Sequence, residues 1–154
     1  MSHPDPLDAD RVWLRVTHLH GRLSAAITRR LREIHLSLPQ CDVLATLSRQ
    51  EGVNQQELAE RLHVTKGNIS GLIDRMTAAG LVERRATEGD KRAYAIYLTN
   101  EGRKQARRGA ATQTAVVVET LGRLSPAQLA QMDQSLLAAS STLRGDTTGA
   151  GSEA

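Results

Sequence analysis

Lys66, Asn68, Ser70 and Arg75 fall within a single short stretch, interleaved with Gly67 and Gly71. Ammonium, amide, hydroxyl and guanidinium groups are the donors and acceptors that touch base edges and phosphates. The same stretch carries Ile69, Leu72, Ile73 and Met76 at i, i+3, i+4 and i+7, an apolar stripe along one side of a helix. Opposite it lie Gly67, Asn68, Gly71, Asp74 and Arg75, with Lys66 and Ser70 at the edges. Each glycine costs a helix roughly 0.8–1.0 kcal/mol relative to alanine. A solvated helix has no use for two of them one turn apart. A helix pressed into the major groove of double-stranded DNA does, because missing side chains let its backbone approach. A second group is Asp90-Lys91-Arg92, where Arg92 has the length and planar fork to enter a narrow minor groove. Asp90 is then expected to steady that tip by pairing with Arg92 or another arginine.

These groups need a frame, and the flanking residues supply one. Asn54-Gln55-Gln56-Glu57 is a capping box that opens a short helix with Leu58, Ala59 and Leu62 on its apolar side. His63-Val64 turns the chain, Thr65 is the next N-cap, and Gly80 supplies a left-handed stop. A strand over residues 81–86 and a second over Tyr94-Ala95-Ile96-Tyr97-Leu98 predict a hairpin, with Tyr94, Ile96 and Leu98 on one side and residues 87–92 as its turn. Upstream, residues 8–35 predict a helix about 40 Å long with Trp13, Val16, Leu19, Leu23, Ile27, Leu31 and Ile34 in one stripe. Pro39 opens another helix that turns Val43, Leu44 and Leu47 inward and stops at Gly52. Downstream, Thr99 caps a helix to about Leu121, and Ser125-Pro126-Ala127-Gln128 begins a last helix through Leu129, Met132, Leu136 and Leu143.

The fold class expected is mainly α with a small β-wing: a winged helix-turn-helix core over residues 38–99, flanked by long helices over 8–35 and 100–144. One domain spans residues 1–144, and the small polar residues 145–154 read as a disordered tail. Long helices at both ends exceed what a small winged core needs, so a second copy is the expected partner. Two reading heads would then face half-sites about 10 bp apart on a near-palindromic operator.

The 154 residues suit one domain of that size, with 40% hydrophobic residues but only 2% aromatic and no Phe. The core must therefore be aliphatic. A formal charge of +3 and a pI near 9.5 tolerate DNA without demanding it. A lone cysteine excludes an internal disulfide framework. No apolar run reaches membrane-spanning length, and Met1-Ser2-His3-Pro4-Asp5-Pro6 lacks the layout of a signal peptide. A cytoplasmic location away from membranes is expected.

The run Gln56-Glu57-Leu58-Ala59-Glu60-Arg61-Leu62 followed by Val64-Thr65-Lys66-Gly67-Asn68-Ile69-Ser70 resembles the MarR family of winged helix-turn-helix transcriptional regulators. So do Asp74-Arg75-Met76, Gly80-Leu81-Val82-Glu83-Arg84, Asp90-Lys91-Arg92 and Leu98-Thr99-Asn100-Glu101-Gly102. Upstream, Leu38-Pro39-Gln40-Cys41-Asp42-Val43-Leu44 looks like that family's second-helix opening. The resemblance covers residues 10–143 and is dense between Pro39 and Gly102. It implies a dimeric DNA-binding regulator, commonly a repressor released by a small, often aromatic or phenolic, effector. It makes Thr65–Arg75 the recognition helix and puts Asp90 and Arg92 at the family's wing positions. DNA contacts are thus expected from Thr65, Lys66, Gly67, Asn68, Ser70, Gly71, Arg75, Asp90, Lys91 and Arg92.

Cys41 departs from the pattern, standing where the family usually carries an aromatic residue. It reads either as a small buried hydrophobe or as a redox-sensing thiolate at a helix start. Trp13 reads as an anchor of the first helix in a dimer seam; stacking on a ligand is the other role. Trp13, His20 and Cys41 together are the effector-contact candidates. His18 and His20 are two apart and point to different faces, so no metal site is expected. Arg103-Lys104-Gln105-Ala106-Arg107-Arg108 reads as a solvated basic face whose first turn touches phosphate at most. No nucleophile elbow, phosphate loop or apolar carboxylate pair is present, so neither enzyme nor cofactor is expected. The rival readings are a redox-sensing repressor through Cys41 and a sequence-indifferent architectural DNA-binding protein.

Overall fold

Side chains close the helix ends before any tertiary contact is made. In the computed structural model, which describes residues 6–144 (the side chains of 6, 7, 90–93 and 144 aside), the order is α1 Pro6–Arg32, α2 Leu38–Arg49, α3 Gln55–Leu62, α4 Lys66–Ala78, β1 Val82–Thr87, β2 Asp90–Leu98, α5 Asn100–Leu121 and α6 Pro126–Arg144. The capping boxes expected at Asn54 and Ser125 form, the Glu57 amide donating to Asn54 Oδ1 at 2.8 Å and the Gln128 amide to Ser125 Oγ at 3.2 Å. Ser37 and Gln40 make a third box at the start of α2. Thr65 caps α4 by accepting from the Asn68 amide at 3.2 Å. The expected tail over 145–154 lies outside the described residues.

The chain divides into two units, Met1–Val116 and Val117–Ala154. In the first, the aliphatic stripes meet as one core: Leu31, Val43, Leu44, Leu47, Leu58, Ile69, Ile73, Met76 and Ile96 are buried. The hairpin of β1 and β2 is antiparallel, pairing Val82 with Leu98 and Arg84 with Ile96. The loop after α2 joins its edge, since the Ile96 amide donates to the Val53 carbonyl and the Gly52 amide to the Ile96 carbonyl, both at 2.9 Å. In the second unit α6 lies almost wholly exposed, with Leu136, Leu137 and Leu143 open to solvent.

Three local expectations change. The first helix stops at Arg32, and residues 33–35 form a turn closed by His35 at φ +57°. The hairpin turn is only Glu88-Gly89, Gly89 taking φ +92°, so residues 90–92 open β2 instead of lying in the turn. Tyr94 does not join Ile96 and Leu98 in the core but is exposed, because burial fades along the hairpin from Val82 to its tip.

Gly102 makes the tightest joint. A Cβ there would lie 1.9 Å from the Leu81 carbonyl oxygen, so the first turn of α5 seats directly on the backbone at the root of the hairpin. Thr99 completes this joint, its hydroxyl donating to the Gly80 carbonyl at 2.6 Å and accepting from the Gly102 amide at 2.9 Å. One side chain fewer lets two backbones meet.

Candidate nucleic-acid interface

The turn between α3 and α4 depends on His63, which takes the left-handed conformation (φ +52°). Its amide donates to the Ala59 and Glu60 carbonyls, and the Val64 amide donates to the Ala59 carbonyl at 3.0 Å. Ile69, Leu72, Ile73 and Met76 then pin α4 by its inner side. That anchoring turns the other residues outward.

Thr65, Lys66, Gly67, Asn68 and Arg75 are exposed, while Ser70 and Gly71 are half-buried. A Cβ on Gly67 would meet nothing within 4 Å, and one on Gly71 only Arg75 Nη1 at 3.5 Å. The glycines therefore do not serve internal packing. Arg75 folds back one turn over the space that Gly71 leaves. Gly67, Asn68, Gly71 and Arg75 line an open groove of about 340 Å³ whose other bank is Pro39 and Val64. The polar side foreseen in the sequence is thus divided: those four residues face the α2 side, whereas Asp74 turns to the hairpin.

Asp74 belongs to a joint that the sequence did not disclose. Arg84 Nη2 on β1 donates to Asp74 Oδ1 at 2.6 Å and to Gln55 Oε1 at 2.9 Å, tying α3, α4 and the hairpin together. Arg84 is only a quarter exposed but Asp74 is 63% exposed, so solvent screens the pair and its value lies in joining three elements more than in ion-pair strength. A strand arginine shows no such role until its distant partners are placed. Its neighbour Arg85 bonds Glu83 and lies 4.1 Å over the Tyr97 ring. The side chains of Asp90, Lys91 and Arg92 lie outside the described residues.

Trp13, His20 and Cys41 are not gathered into a site. Trp13 is 64% exposed and His20 is also exposed, whereas Cys41 is buried beneath α5, where a Cβ on Gly109 would lie 2.7 Å from its Sγ. Burial, reinforced by the Asp42 carboxylate, pushes the Cys41 thiol up to about 11. At neutral pH such a thiol is mostly protonated, and its burial against Gly109 favours the buried-hydrophobe reading of Cys41 over the redox-sensing one. Burial likewise raises the Asp42 carboxyl above its ordinary value. None of the three candidate effector residues lines the α4 groove or a second cavity of about 270 Å³. That second cavity is bounded by His35 and Gln40, by Leu81 at the hairpin root, and by Glu101, Gln105 and Arg108 on α5. Among the described residues no cluster of three metal-ligating side chains occurs, and no helix is long and apolar enough to cross a membrane.

A two-helix unit with an open outer side, followed by a hairpin locked to it, defines a winged helix-turn-helix protein. Residues 36–93 match the model of the MarR family. The chain is 34% identical over 102 residues to the HTH-type transcriptional regulator TtmR of Methylorubrum extorquens, covering 65% of this chain and 51% of TtmR. It is 34% identical over 90 residues to the transcriptional regulator HosA of Escherichia coli, covering 58% of this chain and 67% of HosA. The chain spans about half the length of the first curated relatives it matches. Among solved structures, AbsC, a MarR family transcriptional regulator of Streptomyces coelicolor, aligns with TM-score 0.77 and 26% identity over 94% of this chain and 99% of AbsC. CouR of Rhodococcus jostii, solved bound to p-coumaroyl-CoA, aligns with TM-score 0.71 and 26% identity over 83% of this chain and 90% of CouR. The chain belongs to the MarR family, whose members are transcriptional regulators and not enzymes.

Proposed function

We propose that this protein is a cytoplasmic homodimeric repressor that binds a near-palindromic DNA operator and is released by a small effector. The observation that carries the reading is the outer side of α4, where Gly67 stands clear of every neighbour and Lys66, Asn68 and Arg75 surround it. The α4 backbone enters the major groove there, Asn68 and Arg75 reach base edges, and Thr65 and Lys66 hold phosphate. Ser70 contributes from the half-buried edge, and Asp90, Lys91 and Arg92 set the wing beside the adjacent minor groove. A single domain over residues 1–144 serves both purposes, residues 38–99 reading DNA and residues 8–35 and 100–144 joining two copies.

Exposed Val12, Trp13, Leu14 and Val16 on α1, and Leu136, Leu137 and Leu143 on α6, support the dimer. Apolar residues at this density are normally covered by a partner. The cavity between His35, Leu81 and α5 supports an effector site, since an occupant there sits against the hairpin root and favours one head spacing over another. CouR's bound p-coumaroyl-CoA lends weight to a small-molecule effector in this fold.

The test is a selection of duplexes from a randomised pool by the purified chain, followed by gel shifts at fixed salt. Enrichment of an inverted repeat, bound at least about a thousandfold tighter than random duplex, is expected. Equal affinity for both would leave an architectural protein instead.

A further inference from the structure

The basic run on α5 divides into two sides, and one of them meets a third arginine. Arg103 and Arg107, one turn apart, share a groove of about 480 Å³ with Arg49 and Ser48 at the end of α2, above buried Leu47 and Leu98. Arg108, by contrast, lines the separate cavity beside His35. Glu51 is the lone carboxylate in the groove's lining, and it is already engaged. It pairs with Arg103 and accepts from the Leu98 amide at 3.1 Å. Neither the Arg49 nor the Arg107 guanidinium has a hydrogen bond or ion pair with another described residue. Two guanidiniums therefore converge on one concavity without a counter-charge.

A purely solvated helix face does not account for this placement. Like charges one turn apart work against a helix, and a third positive group brought in from another element adds to the repulsion. A bound anion removes that repulsion. Guanidinium forks match carboxylate and phosphate oxygens, and the methylene stems of the arginines offer apolar contact. We propose that this groove binds a small organic anion, a phosphate or carboxylate on a short apolar body, held by Arg49 and Arg107 with Arg103 behind them. The site goes beyond the DNA reading and does not depend on it, because binding is measured without DNA.

The probe is phenyl phosphate, titrated calorimetrically into the full chain in low-chloride buffer. One saturable event per chain is expected. Arg107→Gln and Arg49→Gln should each weaken it by roughly tenfold or more. Lys104→Gln removes the same charge from the same helix at an exposed position that lines neither the groove nor the cavity beside His35, and should leave the affinity in place. Phenol, which lacks the anion, should not bind. Circular dichroism checks each variant's fold, and Arg49→Gln decides the matter if Arg107→Gln does not fold. The proposal is overturned if phenyl phosphate gives no saturable heat up to millimolar concentration. It is equally overturned if Lys104→Gln weakens binding as much as Arg107→Gln, which indicates a diffuse field, or if phenol binds as well.

Discussion

The winged core and the terminal helices handle apolar surface in opposite ways. From Leu36 to Leu98 nearly every large aliphatic side chain is covered by the chain itself, and Ile69, Ile73, Met76 and Ile96 are fully enclosed. Toward the chain ends the pattern reverses, with Trp13 64% exposed on α1 and Leu143 73% exposed on α6. A helix that keeps such a stripe in water forgoes the burial that stabilises most protein helices. The contrast fits separate tasks: the core covers its own apolar surface, while the ends leave theirs for the second copy proposed above.

Breaking one region should spare the other. Gly71→Glu puts a carboxylate and new bulk on the open side of α4, and like charge against phosphate should lower operator affinity about a hundredfold or more. Sedimentation should still report a dimer. Unchanged gel-shift affinity would remove α4 from the DNA. The converse variant, Leu136→Glu with Leu137→Glu, should give monomers by sedimentation equilibrium while the circular dichroism of the winged core persists. A surviving dimer would place the seam elsewhere.

Smaller effects sharpen the same contrast. Gly102→Ala forces a Cβ against the Leu81 carbonyl and should destabilise the fold by about 3 kcal/mol in urea titrations, the upper end for overpacking. A change below about 0.5 kcal/mol would mean that this joint yields. Arg92→Ala should reduce the slope of log affinity against log salt by about one unit, with little change in melting temperature. An unaltered slope would take Arg92 off the phosphate backbone. Cys41 offers the mildest test. Its folded thiol titrates near 11, above the ordinary value of 9.0, so the folded state holds the proton more tightly and stability should fall as pH rises between those values. Cys41→Ala should lose that component of the decline, read as the difference between the two proteins' stability-against-pH curves. Parallel curves would show that the thiol does not titrate there.

What could be read in the residues was what local chemistry decides. The apolar stripes of α2 and α4, the boxes at Asn54 and Ser125 and the cap at Thr65 depend on neighbours three or four positions away, and all of them form. What escaped depends on residues far apart. Arg84 reaches Asp74 and Gln55 across 10 and 29 positions, and Val53 bridges to Ile96. Nothing near Gly102 or Gly109 in the sequence announces that another segment will press against them. The division of the basic run into two sides is likewise invisible until α2 is laid beside α5. Trp13, His20 and Cys41 are not brought together in one cavity of this chain for the same reason, because a cavity is made by elements meeting and not by residue type.

At the foot of α5, backbone sits on backbone with no compressible side chain between. Within the first unit the helix runs from Asn100 to Val116, and at about 1.5 Å per residue that stretch is a rod of roughly 25 Å. A rod hinged on so hard a bearing does not absorb a tilt; it transmits it. A push of an ångström or two on α5 between Asn100 and Val116 should therefore arrive at Leu81 as motion of the hairpin, with no slack to take up first.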